Sequence, residues 1–328
     1  MLDFSVVINT RDHPAELRRC LAALKNQAYD PARWEIVVVD DGSRNSAAEQ
    51  EVNAYGGPAE CRLVRLGARG RSGARNAGIR AARGLRVLFL GDDVVAEPDL
   101  LAAHHEAHSR WSRAAVVGHR TEKSRVPSRT FLSWWDNLRF QDIRDPENAT
   151  FAFFYTCNCS VERQALLDVK GLDENFTCYG WEDLDLGLRL EKRGLRVVYE
   201  PRARVSHHHP DVTLEGLCRR EYEMAFTSVY FFFKWPDEPL VQAIPFGREA
   251  ATCGPPGPAW RREMGRKLVR LAEALCPLPA LLEPLYRRLV WAHRAQGLRD
   301  GRAHYAPLLE RLEKGDIRED ERGRCFQR

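Results

Sequence analysis

The sequence predicts an α/β fold in which a mostly parallel sheet is flanked by helices and followed by a helical C-terminal region. Three observations support this. β-rich runs at residues 4–8, 34–39 and 87–90 are short and alternate with helical patterns, the order that lays parallel strands beneath crossover helices. Each run ends in polar residues, Asn9-Thr10-Arg11, Asp40-Asp41-Gly42-Ser43 and Gly91-Asp92-Asp93, and such sheets bind ligands beyond the carboxyl ends of their strands. Beyond Pro210 the pattern is helical, broken by the turn-forming Gly254-Pro255-Pro256-Gly257-Pro258.

Between the first two runs, residues 14–26 carry Leu17, Leu21 and Leu24 at helical spacing. In residues 70–78 the glycine spacing is neither G-x-G-x-x-G nor G-x-x-x-x-G-K-[ST], which argues against dinucleotide and P-loop sites. Arg71 and Arg75 in that segment can still supply positive charge to a pyrophosphate. The order of His104, His105 and His108 does not match the metalloprotease pattern, so these three read as helix surface. Residues 121–160 interrupt the alternation with Trp134, Trp135, Phe151, Phe153, Phe154 and Tyr155, and connections of this length tend to be functional. Helical patterns return at 162–169 and 182–192, then an apolar run at 196–199 and the cluster His207-His208-His209. Neighbouring residues of an extended strand point to opposite sides, so at most two of those histidines face one way, which argues against a structural zinc site.

The composition, 44% hydrophobic and 29% charged over 328 residues, is that of a globular protein, and no apolar run reaches the roughly 18 residues of a membrane span. With no leader pattern before the first strand, the expected compartment is cytoplasmic. Nine cysteines without a repeated spacing, Cys157-Asn158-Cys159 included, fit reduced thiols. Basic pairs concentrate past residue 215: Arg219-Arg220, Arg261-Arg262, Arg266-Lys267 and Arg287-Arg288. They read as a solvated face, or as a peripheral contact with the inner membrane face, rather than as a nucleic-acid interface. The aromatic segment 217–235, with the Arg- and Leu-rich segment 260–291, reads as a helical cap or as a surface for a lipid-linked acceptor.

Glu182 and Asp183 stand at the mouth of the 182–192 helix behind Gly180-Trp181, while Leu184 and Leu188 turn one face inward. A general base can sit there. Asp40 or Asp41, at the sheet's ligand edge, can accept the imide N–H of uracil or the hydroxyls of ribose. Asp92 and Asp93 suit a hard cation, Mn²⁺ or Mg²⁺, bound through oxygen.

The runs Phe4-Ser-Val-Val-Ile-Asn-Thr-Arg11, Asp40-Asp-Gly-Ser43, Ala74-Arg-Asn-Ala-Gly78, Phe89-Leu-Gly-Asp-Asp93, Asn158-Cys-Ser160, Gly171-Leu-Asp-Glu-Asn-Phe176 and Tyr179-Gly-Trp-Glu-Asp-Leu-Asp-Leu-Gly187 closely resemble family 2 inverting glycosyltransferases of the GT-A fold over about residues 4–210. The resemblance implies a nucleotide-sugar donor held by Thr10, Arg11 and Asp41 or Asp40; a UDP-sugar is the expected one, and Arg71, Arg75 and Trp181 are further candidates for binding it. It implies Asp93 as the metal-binding end of the D-x-D motif, His207 as a further residue near the metal, Asp183 as catalytic base and Glu182 as its neighbour. At Gly91 the chain departs from the family, which usually has the first Asp there, leaving Asp92 to the ribose. The expected organisation is a catalytic domain at 1–210, its nucleotide-sugar part about 1–120 and its acceptor part about 121–210, followed by the helical region 211–328. The acceptor is a glycan, a lipid-linked sugar or a small molecule. The rival readings are a nucleotidyltransferase, which usually needs a glycine-rich, Lys-bearing loop absent here, and an inactive nucleotide-sugar-binding scaffold, suggested by Gly91 but opposed by the intact Trp181-Glu182-Asp183.

Overall fold

The computed structural model describes residues 1–123, 140–208, 213–244, 267 and 282–314. Trp134, Trp135, His209, the break at 254–258, Trp260, Arg261, Arg262 and Arg266 lie outside the described residues. The strands are β1 (Phe4–Thr10), β2 (Trp34–Asp40), β3 (Glu60–Arg65), β4 (Arg86–Gly91), β5 (Val94–Ala96), β6 (Ala114–Glu122), β7 (Asn158–Glu162) and β8 (Arg196–His207). They form one sheet in the order β3-β2-β1-β4-β7-β6-β8-β5. The half built from β1 to β4 is parallel, as its alternation with helices predicts. The other half is mixed: β7 runs antiparallel to both β4 and β6, β8 is parallel to β6, and β5 is antiparallel to β8.

Register fixes where the strand ends meet. Thr10 lies opposite Asp40, and Asn9 opposite Gly91, so the polar tips of β1, β2 and β4 share one edge. Side chains alternate between the two faces of β1. Val6 and Ile8 pack in one cluster with Leu17, Leu21 and Leu24 of α1 (Pro14–Leu24), near α2 (Ala47–Asn53). Val7 packs on the other side with Ala74 and Ala77 of α3 (Gly70–Ala81). A Cβ on Gly78 would meet Val7 Cγ1 at 2.3 Å, so the glycine lets α3 lie directly on the sheet.

In α4 (Leu100–Arg110) the structure corrects the surface reading of the histidines: His104 and His108 are buried and only His105 remains partly exposed. Partners on β7 make this tolerable. His104 Nε2 lies 3.0 Å from Asn158 Oδ1, and its Nδ1 lies 2.9 Å from Ser160 Oγ, which is also 2.8 Å from His108 Nε2. Burial pushes His104 down to about 4, which leaves the core a neutral ring.

Strand β8 runs well past the apolar stretch that announces it. Its register with β6 shifts between Gly118 and His119, and its far end pairs with β5 so that His207 lies opposite Val94. Bulges of this kind re-aim side chains near sites. After β7 come the short α5 (Arg163–Asp168) and then α6 (Glu182–Lys192), whose limits coincide with those expected.

The C-terminal helices α7 (Leu214–Lys234) and α8 (Glu283–Glu313) pack against α6 through a cluster that joins Trp181, Leu184 and Leu188 to Ala225, Val229, Phe231 and Tyr305. Gly297 and Gly301, one turn apart on α8, allow a backbone-to-backbone approach: a Cβ would meet Tyr222 O at 2.1 Å and Phe226 O at 2.3 Å. Gly297→Val is therefore expected to cost about 1–3 kcal/mol through overpacking. Thermal unfolding measures it, and an unchanged midpoint would mean that the two helices do not depend on this approach. Among the described residues, no helix is long and apolar enough to cross a membrane.

Candidate active site

A cavity of about 720 Å³ opens at the carboxyl ends of the parallel strands. Thr10, Arg11, Asp41 and Asp92 enter it from the strand ends, and Arg71 and Arg75 from α3. The α6 residues Glu182 and Asp183, Asp93 from the turn between β4 and β5, and His207 at the end of β8 also line it. Two expected donor contacts lie outside the cavity. Asp40 is buried, accepts the Ser43 N–H through Oδ1 at 2.8 Å, and stands 3.7 Å from Arg65 Nε. It shapes the turn in which Gly42 adopts φ 76°, and leaves Asp41 facing the cavity. Trp181 is buried among Phe231 and Phe232, and its Nε1–H donates to Met224 O at 2.8 Å.

The acidic end of the cavity is knit by hydrogen bonds. Asp92 Oδ2 accepts from Thr10 Oγ1 at 2.7 Å and lies 3.3 Å from His13 Nδ1. Burial pushes Asp92 above the ordinary carboxylate range, His13 opposes this, and the charge of Asp93 adds to it. Asp93 Oδ2 lies 3.1 Å from His207 Nε2, and His207 Nδ1 lies 3.0 Å from Glu122 Oε2. Burial alone would lower His207, but hydrogen bonds to these two carboxylates outweigh it and raise its pKa. A Cβ at position 91 would sit 2.7 Å from Asp93 Oδ1, so the glycine there leaves room for this carboxylate.

These residues fit a divalent cation. Asp93 offers oxygen and His207 an imidazole nitrogen, while Glu122 stands behind the ring as the carboxylate that commonly orients a metal-binding histidine. No group of three or more His, Cys, Asp or Glu suited to a metal occurs among the described residues, so phosphate oxygens and water would have to supply the rest of the shell. Sequence reasoning missed His13 and Glu122. Glu122 falls at the start of the segment read as an aromatic connection, and neither residue carries a motif of its own.

At the opposite end, Gly180 (φ 103°) and Trp181 (φ 73°) make a left-handed turn into α6, an unusual conformation for tryptophan. α7 holds it in place: besides the Trp181–Met224 bond, Thr227 Oγ1 donates to Tyr179 O at 3.2 Å. Glu182 is committed, accepting from Arg75 Nη1 at 3.2 Å and from Gly180 N–H at 3.0 Å. Asp183 stays partly exposed to the cavity, with Thr156 N–H 3.5 Å from its Oδ2. Burial pushes Asp183 up to about 7; the Glu182 charge adds to this and Arg75 opposes it. The first turns of α7 close the cavity with Gly216, Arg219, Arg220 and Glu223, beyond the point at which the sequence divides the chain.

A mixed sheet of this order, with a cavity at the ends of its parallel strands and carboxylates at two stations, is a GT-A architecture. The chain belongs to glycosyl transferase family 2: residues 5–169 match that family, and residues 147–210 match the family described as N-terminal domain of galactosyltransferase. Validoxylamine A glucosyltransferase from Streptomyces hygroscopicus subsp. limoneus is 32% identical over 220 residues, which cover 58% of this chain and 48% of that protein. N-acetylglucosaminyl-diphospho-decaprenol L-rhamnosyltransferase from Mycobacterium tuberculosis is 28% identical over 243 residues, covering 62% of this chain and 75% of that protein. The chain spans about half the length of the validoxylamine A glucosyltransferases it matches. Among solved structures, the mannosyltransferase PcManGT from Pyrobaculum calidifontis, in complex with GDP-Man and Mn²⁺, superposes with a TM-score of 0.59 at 18% identity, covering 92% of this chain and 86% of its own. TarS 1-349 from S. aureus, in complex with UDP-GlcNAc, gives 0.55 at 16% identity, with 93% and 92% covered.

Proposed function

We propose that the chain transfers a sugar from a nucleoside-diphosphate sugar to an acceptor hydroxyl, with inversion at the anomeric carbon, and that Asp183 takes the acceptor's proton. The observation that carries this reading is Asp183 itself, a carboxyl shifted toward neutrality on the wall of the cavity that the strand-end acids also enter. A single in-line displacement needs a base on the sugar face opposite the leaving diphosphate. A base with a pKa near 7 is about half ionised near neutral pH and is basic enough in that form to accept a proton. Glu182, bound to Arg75 and to the turn, positions that base and does not compete with it.

Thr10, Arg11, Asp41 and Asp92 take the nucleoside in this reading, and Arg71 and Arg75 face the diphosphate. A UDP-sugar is the favoured donor because Asp41 can accept the uracil imide N–H; TarS was solved with UDP-GlcNAc and PcManGT with GDP-Man, so both nucleotides belong in the test. The relatives' names, one a validoxylamine glucosyltransferase and one acting on a diphospho-decaprenol, support a small-molecule or a lipid-linked acceptor. We assign the transferase domain to residues 1–210, its donor part to about 1–120, and extend its acceptor side into α7. Release of nucleoside diphosphate from a panel of UDP-, GDP- and dTDP-sugars tests the proposal. Binding without release would identify an inactive scaffold instead.

Asp93 and His207 would hold Mn²⁺ or Mg²⁺, in keeping with PcManGT, which was solved with Mn²⁺. A bound cation supplies Lewis-acid neutralisation of the charge that develops on a leaving diphosphate. Exhaustive chelation is therefore expected to stop donor turnover and Mn²⁺ to restore it, while Asp93→Ala should weaken the apparent Mn²⁺ affinity by about tenfold or more, one lost charged ligand being worth 1.4 kcal/mol or above. Full turnover after chelation would leave that neutralisation to Arg71 or Arg75.

A further inference from the structure

We propose that Arg219 and Arg220 of α7 form a subsite for an oxyanion, a phosphate or carboxylate, carried by the acceptor. The proposal rests on the glycosyltransferase reading and names the acceptor's chemistry within it.

The cavity-lining residues of α7, Gly216, Arg219, Arg220 and Glu223, follow the spacing i, i+3, i+4, i+7, so one continuous helix face looks into the site. Arg219 is exposed and makes no ion pair among the described residues. Exposed arginines on other helices do find carboxylates: Arg18 pairs with Glu51 at 2.6 Å, and Arg287 with Glu283 at 2.6 Å. The Arg220 guanidinium lies 5.4 Å from the centroid of the Tyr179 ring, and that of Arg71 lies 4.9 Å from the same ring. Tyr179 thus braces Arg220 at the mouth of the cavity, with Glu223 one turn further along the face. Planar guanidinium forks match phosphate and carboxylate oxygens two at a time.

The element that carries the two arginines places them on the acceptor's side. α7 binds the turn of the base, through Trp181 Nε1 to Met224 O and Thr227 Oγ1 to Tyr179 O, so its cavity face stands beside Asp183. The donor's nucleoside station is built from the ends of β1, β2 and β4, and its diphosphate reaches toward Arg71, which shares the Tyr179 ring with Arg220, so the acceptor's subsite borders the donor's. An acceptor that gives its proton to Asp183 enters from the side of the base, and meets Arg219 and Arg220 there.

The test is calorimetric titration of the full chain, first with UDP, GDP and dTDP in the presence of Mg²⁺, then of the nucleotide-saturated protein with inorganic phosphate and, separately, with acetate. Phosphate or acetate should bind on top of the nucleotide, the tighter of the two identifying the acceptor's group. Arg219→Ala combined with Arg220→Ala should weaken that binding at least tenfold while the nucleotide affinity stays within about twofold. Arg219→Lys combined with Arg220→Lys, which keeps the charge, should recover part of it, and thermal unfolding of each variant verifies that it is folded. Nucleotide affinity that falls together with anion affinity would overturn the proposal and give the arginines to the donor's diphosphate. Anion binding absent from the nucleotide-saturated protein, or unaffected by the alanine pair, would also overturn it. Failure of every nucleotide to bind the wild-type chain would instead strike the donor reading on which the proposal rests.

Discussion

Asp183→Asn is expected to lower kcat by about 10²-fold or more while donor affinity is retained, the scale on which loss of a general base usually registers. The amide fills the same space, and its oxygen can keep the backbone N–H of Leu184, 3.1 Å from Oδ1 of the carboxylate, while its nitrogen replaces Oδ2, which lies 3.5 Å from the Thr156 N–H. It cannot take a proton from the acceptor. Stability provides an internal control with a definite sign. The folded-state pKa of Asp183 is raised from 3.8 to about 7, so ionising this carboxyl disfavours folding; the cost grows as pH rises from about 4 and is complete above about 7. The variant should therefore melt no lower than the wild type at pH 8 while having lost transfer. Near-normal turnover would remove Asp183 from the chemistry and turn suspicion to Glu182.

Lys234→Met is expected to cost about 3–5 kcal/mol, the largest stability effect we anticipate, since breaking a buried ion pair strands the charges left behind. The ammonium is fully buried, 2.6 Å from Asp173 Oδ2 and 2.8 Å from Asp185 Oδ1. Asp185 keeps Trp235 Nε1 and the counter-charge of Arg189, but Asp173 keeps the neutral Tyr230 hydroxyl and loses its cationic partner. Asp185 sits in the first turn of α6 with Asp183, so the last turn of α7 bolts the C-terminal region to the helix that carries the proposed base. Urea unfolding of the variant measures the loss. A change below about 1 kcal/mol, typical of an exposed pair, would contradict the burial on which the expectation stands.

The features legible in the sequence were those set by local periodicity. The strand tips at Thr10, Asp41 and Asp92 and both ends of α6 follow from alternation and helical spacing, and the structure gathers them at one edge as a parallel sheet requires. What could not be read depends on partners distant in sequence. The family resemblance implies that Asp93 and His207 lie near one another, but periodicity does not show why: the three-residue β5, too short to register as a run, pairs with the far end of β8. His104 and His108 look like surface residues until Asn158 and Ser160 of β7 provide their hydrogen bonds. The cavity face of α7 is polar, so its residues read as a solvated helix surface, and Gly297 with Gly301 shows no pattern until α7 lies against it.

The decisive measurement is the pH dependence of kcat/KM for nucleoside diphosphate release from the preferred nucleotide sugar. With Asp183 as base, the rate should fall about tenfold per unit as the pH drops below about 7, where the carboxyl takes up its proton, and level off above it. Asp183→Asn should show no such limb. A wild-type profile that stays flat from about pH 5 to about pH 8, or an Asn variant that retains the acid limb, would contradict the assignment of the base.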